Sequence, residues 1–225
     1  NRILVTGQLP DAGSIDNYAD LVARWAANLK EYVLVGDSFG AFVALALAER
    51  QPRGLRALVM SGGFARAYVS TVTKARLVAV QVLGQLGYPI SIAFHVRSLG
   101  SRFDLPGTGD ELRRVFLRHS DARTFIRRGK MVLSSDLRPG LSRINVPTLI
   151  LTPEDDRLID PAIATELLQG IPGAEERILP QTGHLLRFTH EREYAATVDE
   201  FLTRRLDPNT GIETRRSQEQ SNGKG

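Results

Sequence analysis

Two hydrophobic periods alternate along this 225-residue chain. Short, mainly apolar runs at Ile3-Leu4-Val5, Tyr32-Val33-Leu34-Val35, 55–60 and 146–151 read as strands, 32–35 as a buried central one, and a further strand is expected around 176–179. Between them the spacing becomes helical. Over 15–29 the apolar residues Tyr18, Leu21, Val22, Trp25, Ala26 and Leu29 recur every three or four positions, with Ser14 or Asp16 as the N-cap. A small-residue stretch, 41–48, reads as a helix closed by Gln51-Pro52, and further helices are expected over 161–168 and 191–206. Strands alternating with helices predict an α/β fold, a mostly parallel sheet flanked by helices.

The stretch 64–140 breaks this rhythm. It reads as helices over 71–86, 110–119 and 122–133, interrupted at Gly87-Tyr88-Pro89 and at Asp104-Leu105-Pro106-Gly107, with no convincing strand. The chain is therefore expected to fold as one α/β core in two parts, 1–63 and 141–206, with a helical insertion at 64–140 between them. The polar tail 207–225 reads as disordered.

Composition narrows the possibilities only a little. Apolar residues make up 42% and charged residues 24%, as in an ordinary globular protein. No apolar run reaches the length of a membrane span, and no secretory pattern opens the chain, so the expected location is the cytoplasm. With no cysteine, thiolate catalysis and cysteine-based metal sites are excluded. The net charge of +4 comes partly from Arg97, Arg102, Arg113, Arg114, Arg118, Arg123, Arg127, Arg128 and Lys130. Their helical spacing and the interspersed acids read as solvated helix faces. Nothing resembles a nucleic-acid-binding module, and the oligomeric state is not readable.

The candidate chemistry starts at Gly36-Asp37-Ser38-Phe39-Gly40, a G-x-S-x-G string lying between a strand and a helix. In that context the serine stands on a strained turn, its hydroxyl lifted above the sheet, with glycines on either side to allow close chain passage. The Phe39 amide, at the helix start, is placed to donate to a developing oxyanion. A serine nucleophile needs a base. Of His95, His119, His184 and His190, the first two fall in the insertion and the last near the final helix, whereas His184 follows a strand in a loop, Gln181-Thr182-Gly183-His184. The base needs an acid, and Glu154, Asp155, Asp156 and Asp160 are available in one region. The order Ser38, Asp156, His184 is nucleophile, acid, base.

The segments 32–63 and 141–202 resemble the α/β-hydrolase superfamily, in its cap-bearing, esterase-like branch. The resemblance rests on the elbow above, on Val146-Pro147-Thr148-Leu149-Ile150-Leu151, and on Gly183-His184. It implies Ser38 as nucleophile, His184 as base, Asp156 rather than Asp155 as acid, and the Phe39 N–H as an oxyanion donor. It further implies a capping insertion, a small-molecule substrate, and no metal or organic cofactor. The expected reaction is cleavage of a carboxylic ester-like bond through an acyl-serine. A non-catalytic binder, an inactive fragment, an acyltransferase or a carbon–carbon bond hydrolase on the same residues are the alternatives. Three features depart from the family pattern. Pro153 stands where glycine is usual, Asp37 stands where histidine is common, and the family's early strands and His-Gly-type loop are not found before Ser38. The last feature reads as an N-terminal truncation.

Overall fold

The computed structural model describes residues 10–67, 88–104, 106–119, 121–160 and 162–206. Its centre is a sheet of four parallel strands in sequence order: β1 (Tyr32–Asp37), β2 (Leu55–Ser61), β3 (Thr148–Pro153) and β4 (Glu175–Leu179). Alternate residues face opposite ways. Leu34, Leu58, Met60 and Ile150 enter one apolar cluster, together with α1 (Ile15–Ala26), α2 (Phe39–Ala48) and α6 (Ala162–Gly170). Val33, Val35, Ala57, Val59, Leu149 and Leu151 enter a second cluster, closed by Tyr194, Val198, Phe201 and Leu202 of α8 (Glu191–Leu206). The layers are helix, sheet, helix; the sheet is covered on both faces at β1 to β3, while β4 carries the exposed Arg177 and Ile178.

Ser14 caps α1, its hydroxyl accepting the Asn17 N–H at 3.1 Å. This helix ends three residues before the expected Leu29. The Ala27 N–H turns back to the Arg24 carbonyl, a tightened last turn that leads into β1. Every residue of α2 from Ala41 to Ala48 is buried, which explains its small side chains. The strand expected at 3–5, the helix expected at 71–86 and the tail 207–225 lie outside the described residues.

In the stretch 64–140 the structure gives α3 (Tyr88–Leu99), α4 (Thr108–His119) and α5 (Ala122–Ser134). No helix is expected over 88–99 from the sequence, yet α3 begins at Tyr88. A proline in the first turn gives up an N–H that has no intrahelical partner anyway, so Pro89 suits the start of this helix. Among the described residues of this stretch, the only β contact is an isolated antiparallel bridge between Arg66 and Asp136. Both ends of the stretch meet Glu166 of α6, through Arg66 Nε at 3.2 Å and Arg138 at 3.8 Å. After a 3-10 turn, Arg138–Arg143, the chain re-enters the sheet at β3. No described helix is long and apolar enough to cross a membrane.

Candidate active site

Between the end of β1 and the start of α2 there is one residue, Ser38, at φ 52° and ψ −115°. L-residues rarely adopt this backbone, at a cost of about 1–3 kcal/mol that the surroundings must overcome. Three neighbours do so. The Ser38 N–H donates to the Ser61 carbonyl at 2.9 Å, and its own carbonyl accepts from Ala41 and Phe42 at 3.0 and 3.2 Å. The hydroxyl makes no capping bond to α2, so the serine is not there to cap a helix. Gly36 is required: a Cβ there would lie 2.6 Å from Ala41 Cα and from the Gly40 carbonyl. Gly40 differs from expectation, because a Cβ there meets nothing within 4 Å. Close chain passage therefore explains the first glycine of the string and not the second. Phe39 holds the first position of α2, where an N–H has no carbonyl to reach within its own helix.

The loop that carries His184 follows β4. His184 is buried, and its Nδ1 lies 2.7 Å from Asp156 Oδ2. The other carboxylate oxygen, Oδ1, accepts the N–H groups of Leu158 and Ile159, both at 2.9 Å. With both oxygens engaged as acceptors, the proton on this histidine belongs at Nδ1, which leaves the Nε2 lone pair free. Nε2 is buried and has no hydrogen-bond partner among the described residues, so the Ser38 hydroxyl is not bonded to it in this structure. Catalytic contacts of this kind are often long before substrate binds. Beneath the ring lies Gly62, at φ 52°, where a Cβ would come within 2.8 Å of His184 Cε1.

The four carboxylates near β3 play separate parts. Among the described residues, Asp156 is the one that meets a histidine. Asp160 accepts the Ala162 N–H at the head of α6. Glu154 pairs with Arg102 at 2.6 Å and accepts the Gln181 N–H. Asp155 accepts the Arg102 N–H at 2.6 Å and the Ser101 hydroxyl at 3.1 Å. That amide, above all, holds its carboxyl below the usual carboxylate range. Pro153 ends β3 opposite Leu179, and the turn after it still brings Asp156 to His184.

An alpha/beta hydrolase family model matches residues 5–199. The chain belongs to that family. It is an enzyme of hydrolase type. A 2-hydroxymuconate semialdehyde hydrolase from Pseudomonas putida is 28% identical over 201 residues, covering 80% of this chain and 68% of that protein. A protein of Escherichia coli O17:K52:H18 that carries the provisional name carbamate hydrolase RutD is 25% identical, covering 85% of this chain and 72% of its own length. The crystal structure of an enol-lactonase from Burkholderia xenovorans LB400 superposes with a TM-score of 0.73 at 25% identity, covering 87% of this chain and 76% of that one.

In this alpha/beta hydrolase the stretch 64–140 reaches the site at several points. Ser101 packs on the His184 loop so closely that a Cβ on Gly183 would lie 2.4 Å from Ser101 Cβ. Arg128 of α5 lies over the rings of Phe39 and Tyr18, at 5.0 and 5.5 Å from their centroids, and donates to the Tyr18 hydroxyl. Arg127 pairs with Asp11 at 2.5 Å. Three of the arginines read as solvated, Arg102, Arg127 and Arg128, also fasten this stretch to the core; Arg102 and Arg127 stay exposed, as do Arg97, Arg114, Arg118 and Arg123. His95 of α3 shares a helix face with buried Ile92, Val96 and Leu99 and meets Phe125 edge-on at 5.3 Å. Burial pulls its imidazole down to about 4, and the neighbouring His184 acts in the same direction. His190 is half-buried and bonded to Thr189. Sequence reasoning missed Gly62, Ser101 and the place of His95. Only Gly62 left a signal, a Ser-Gly-Gly closing a strand.

Proposed function

We propose that this hydrolase cleaves a carboxylic ester-like bond, lactones and thioesters included, through an acyl-serine intermediate. Ser38 Oγ attacks the carbonyl carbon while His184 Nε2 takes the hydroxyl proton. Negative charge gathers on the carbonyl oxygen, and the Phe39 N–H donates to it. Collapse of the adduct breaks the bond to the leaving oxygen or sulfur, which receives the proton from His184. A water, deprotonated by the same nitrogen, then releases the acid and restores Ser38. Asp156 holds His184 in the Nδ1–H tautomer and stabilises the imidazolium. The residues 64–140 act as a cap whose inner face shapes the acyl pocket.

The observation that carries this reading is the buried Asp156–His184 pair with a free Nε2, at the sheet edge that also carries the strained Ser38. Labelling with a serine-reactive fluorophosphonate tests it. Wild-type chain should be labelled at Ser38 and Ser38→Ala should not; labelling that survives the substitution refutes the assignment. One observation favours a second reaction on the same residues. The relative from Pseudomonas putida is named for the hydrolysis of a semialdehyde, so profiling should include semialdehydes beside esters.

A further inference from the structure

The residues proposed to react arrive on strands that do not touch. Ser38 follows β1 and His184 follows β4, the two ends of the described strand order β1-β2-β3-β4. Three successive ladders separate them, and no direct backbone pairing joins β1 to β4 among the described residues. A side-chain path does cross that gap. Asp37, the residue before Ser38, lies beside Ser61 in the β1–β2 register, and the fully buried Ser61 hydroxyl donates to Asp37 Oδ1 at 2.6 Å. The other oxygen, Oδ2, lies 3.7 Å from Arg187 Nε, an ion-pair contact longer than a hydrogen bond, and that buried Nε has no hydrogen-bond partner among the described residues. Arg187 sits in α7 (Leu186–Thr189), three residues after His184. Its guanidinium also covers the Phe188 ring at 4.3 Å, so it is held between a carboxylate and an aromatic face.

We propose that Asp37, oriented by Ser61 and paired with Arg187, is a positioning residue that sets the base loop in register with the nucleophile turn. This rests on the serine-hydrolase reading above. Three observations favour it over a merely solubilising pair. The pair is largely sheltered, with side-chain exposures of 17% for Asp37 and 34% for Arg187. The carboxylate is oriented by a hydroxyl with no exposure to solvent. Each member lies within three residues of a group that must reach the other to about an ångström for proton transfer to occur. Tyr194 of α8 faces the same cluster. Burial, and then the charge of Asp37, raise its pKa, so its hydroxyl stays neutral and adds no competing charge. The odd residue of the G-x-S-x-G string thereby gains a purpose, because its carboxylate ties the nucleophile turn to the helix that follows the base loop.

The test is a double-mutant cycle on the full chain, using p-nitrophenyl butyrate turnover and the fluorophosphonate labelling rate, with thermal melts alongside. Asp37→Asn and Arg187→Met should each lower kcat by about tenfold with KM within about twofold. The double variant should be no worse than the weaker single one, because each breaks the same link. Arg187→Lys, which keeps the charge and loses the planar fork, should recover most of the rate. If Arg187→Met does not fold, Arg187→Lys and Ser61→Ala carry the test, the latter expected to lower kcat by about threefold. A labelled, active wild type whose variants keep kcat within twofold, or whose losses multiply in the double variant, overturns this inference alone. A wild type that is not labelled overturns the serine-hydrolase reading and this inference with it.

Discussion

At the C-terminal edge of the sheet, positions are set by backbone. Ser38 has a φ of 52°, Gly36 has no room for a Cβ, and Gly62 has both a positive φ and an imidazole against it. In the stretch 64–140, by contrast, the fastening is done by side-chain ends: Arg102 on Glu154, Ser101 on Asp155, Arg127 on Asp11, Arg128 over Phe39. Backbone constraints leave little freedom, so the edge suits chemistry that must stay in place. Side-chain contacts can be exchanged one at a time, so the helical stretch suits selection among substrates. If this division is right, edge substitutions should lower kcat for every ester alike, and substitutions in the stretch should shift KM by an amount that depends on the acyl group.

The sharpest test of the edge is removal of its chemistry. Ser38→Ala should cost at least about ten-thousandfold in kcat, and Asp156→Asn a comparable amount by favouring the wrong tautomer of His184. Both should melt close to wild type, measured by circular dichroism. A loss confined to one ester would break the comparison at its root. Next comes Gly62→Ala. The methyl would sit 2.8 Å from His184 Cε1 and the backbone is at φ 52°, so we expect about 2 kcal/mol of destabilisation and a loss of about a hundredfold in kcat. Gly40→Ala is the control at the same edge, with no neighbour within 4 Å and better helix propensity. It should leave stability unchanged or raise it by up to about 1 kcal/mol.

The same division decides what could be read before any coordinates. Strands β1 to β3 were legible because strands covered on both faces need nearly unbroken apolar runs, β4 less so because Glu175, Glu176 and Arg177 leave only Ile178 and Leu179 apolar, and the elbow because the chain passing close to position 36 leaves no room for a Cβ. The choice of Asp156 among four neighbouring carboxylates was not fixed by spacing. It depends on Leu158 and Ile159 turning their N–H groups onto Oδ1 while Oδ2 meets the imidazole. Asp37 is another such case. A carboxylate before the serine reads as a local feature, yet its partner Arg187 lies 150 residues along the chain and is brought near only by the crossing of the layers. Helix α3 was not legible for a different reason: proline both ends and begins helices, and only the place of Pro89 in the first turn shows that it begins this one.

His95 gives a smaller effect with a defined direction. Its folded-state pKa of about 4 lies below the ordinary 6.5, so between those values the unfolded chain binds the extra proton. Stability then falls as pH drops from 6.5 toward 4, and the penalty saturates below that. Across the window the loss amounts to at most about 3 kcal/mol. Urea melts of wild type and His95→Asn at pH 7.5 and pH 4.5 should show the wild type losing more. Parallel losses would mean that α3 does not bury this ring near His184.

The smallest effect expected is at Asp155, where the two regions meet. Its carboxylate accepts the Arg102 N–H and the Ser101 hydroxyl, and Asp155→Ala removes both bonds from a partly exposed site, so the melting temperature should fall only slightly. The kinetic consequence separates two ways in which the helical stretch can act. If Ser101 merely covers the base loop, freeing it changes kcat for all esters by the same small factor. If the stretch shapes the acyl pocket, freeing its 101–104 turn should raise KM more for long acyl chains than for acetate, with kcat nearly constant, because only the longer chains touch the inner face. Comparing p-nitrophenyl acetate with p-nitrophenyl octanoate in Asp155→Ala reads that difference directly. A uniform fall in kcat would move this stretch onto the chemical side of the division, and would make Gly183, pressed against Ser101 Cβ, the point through which it acts on His184.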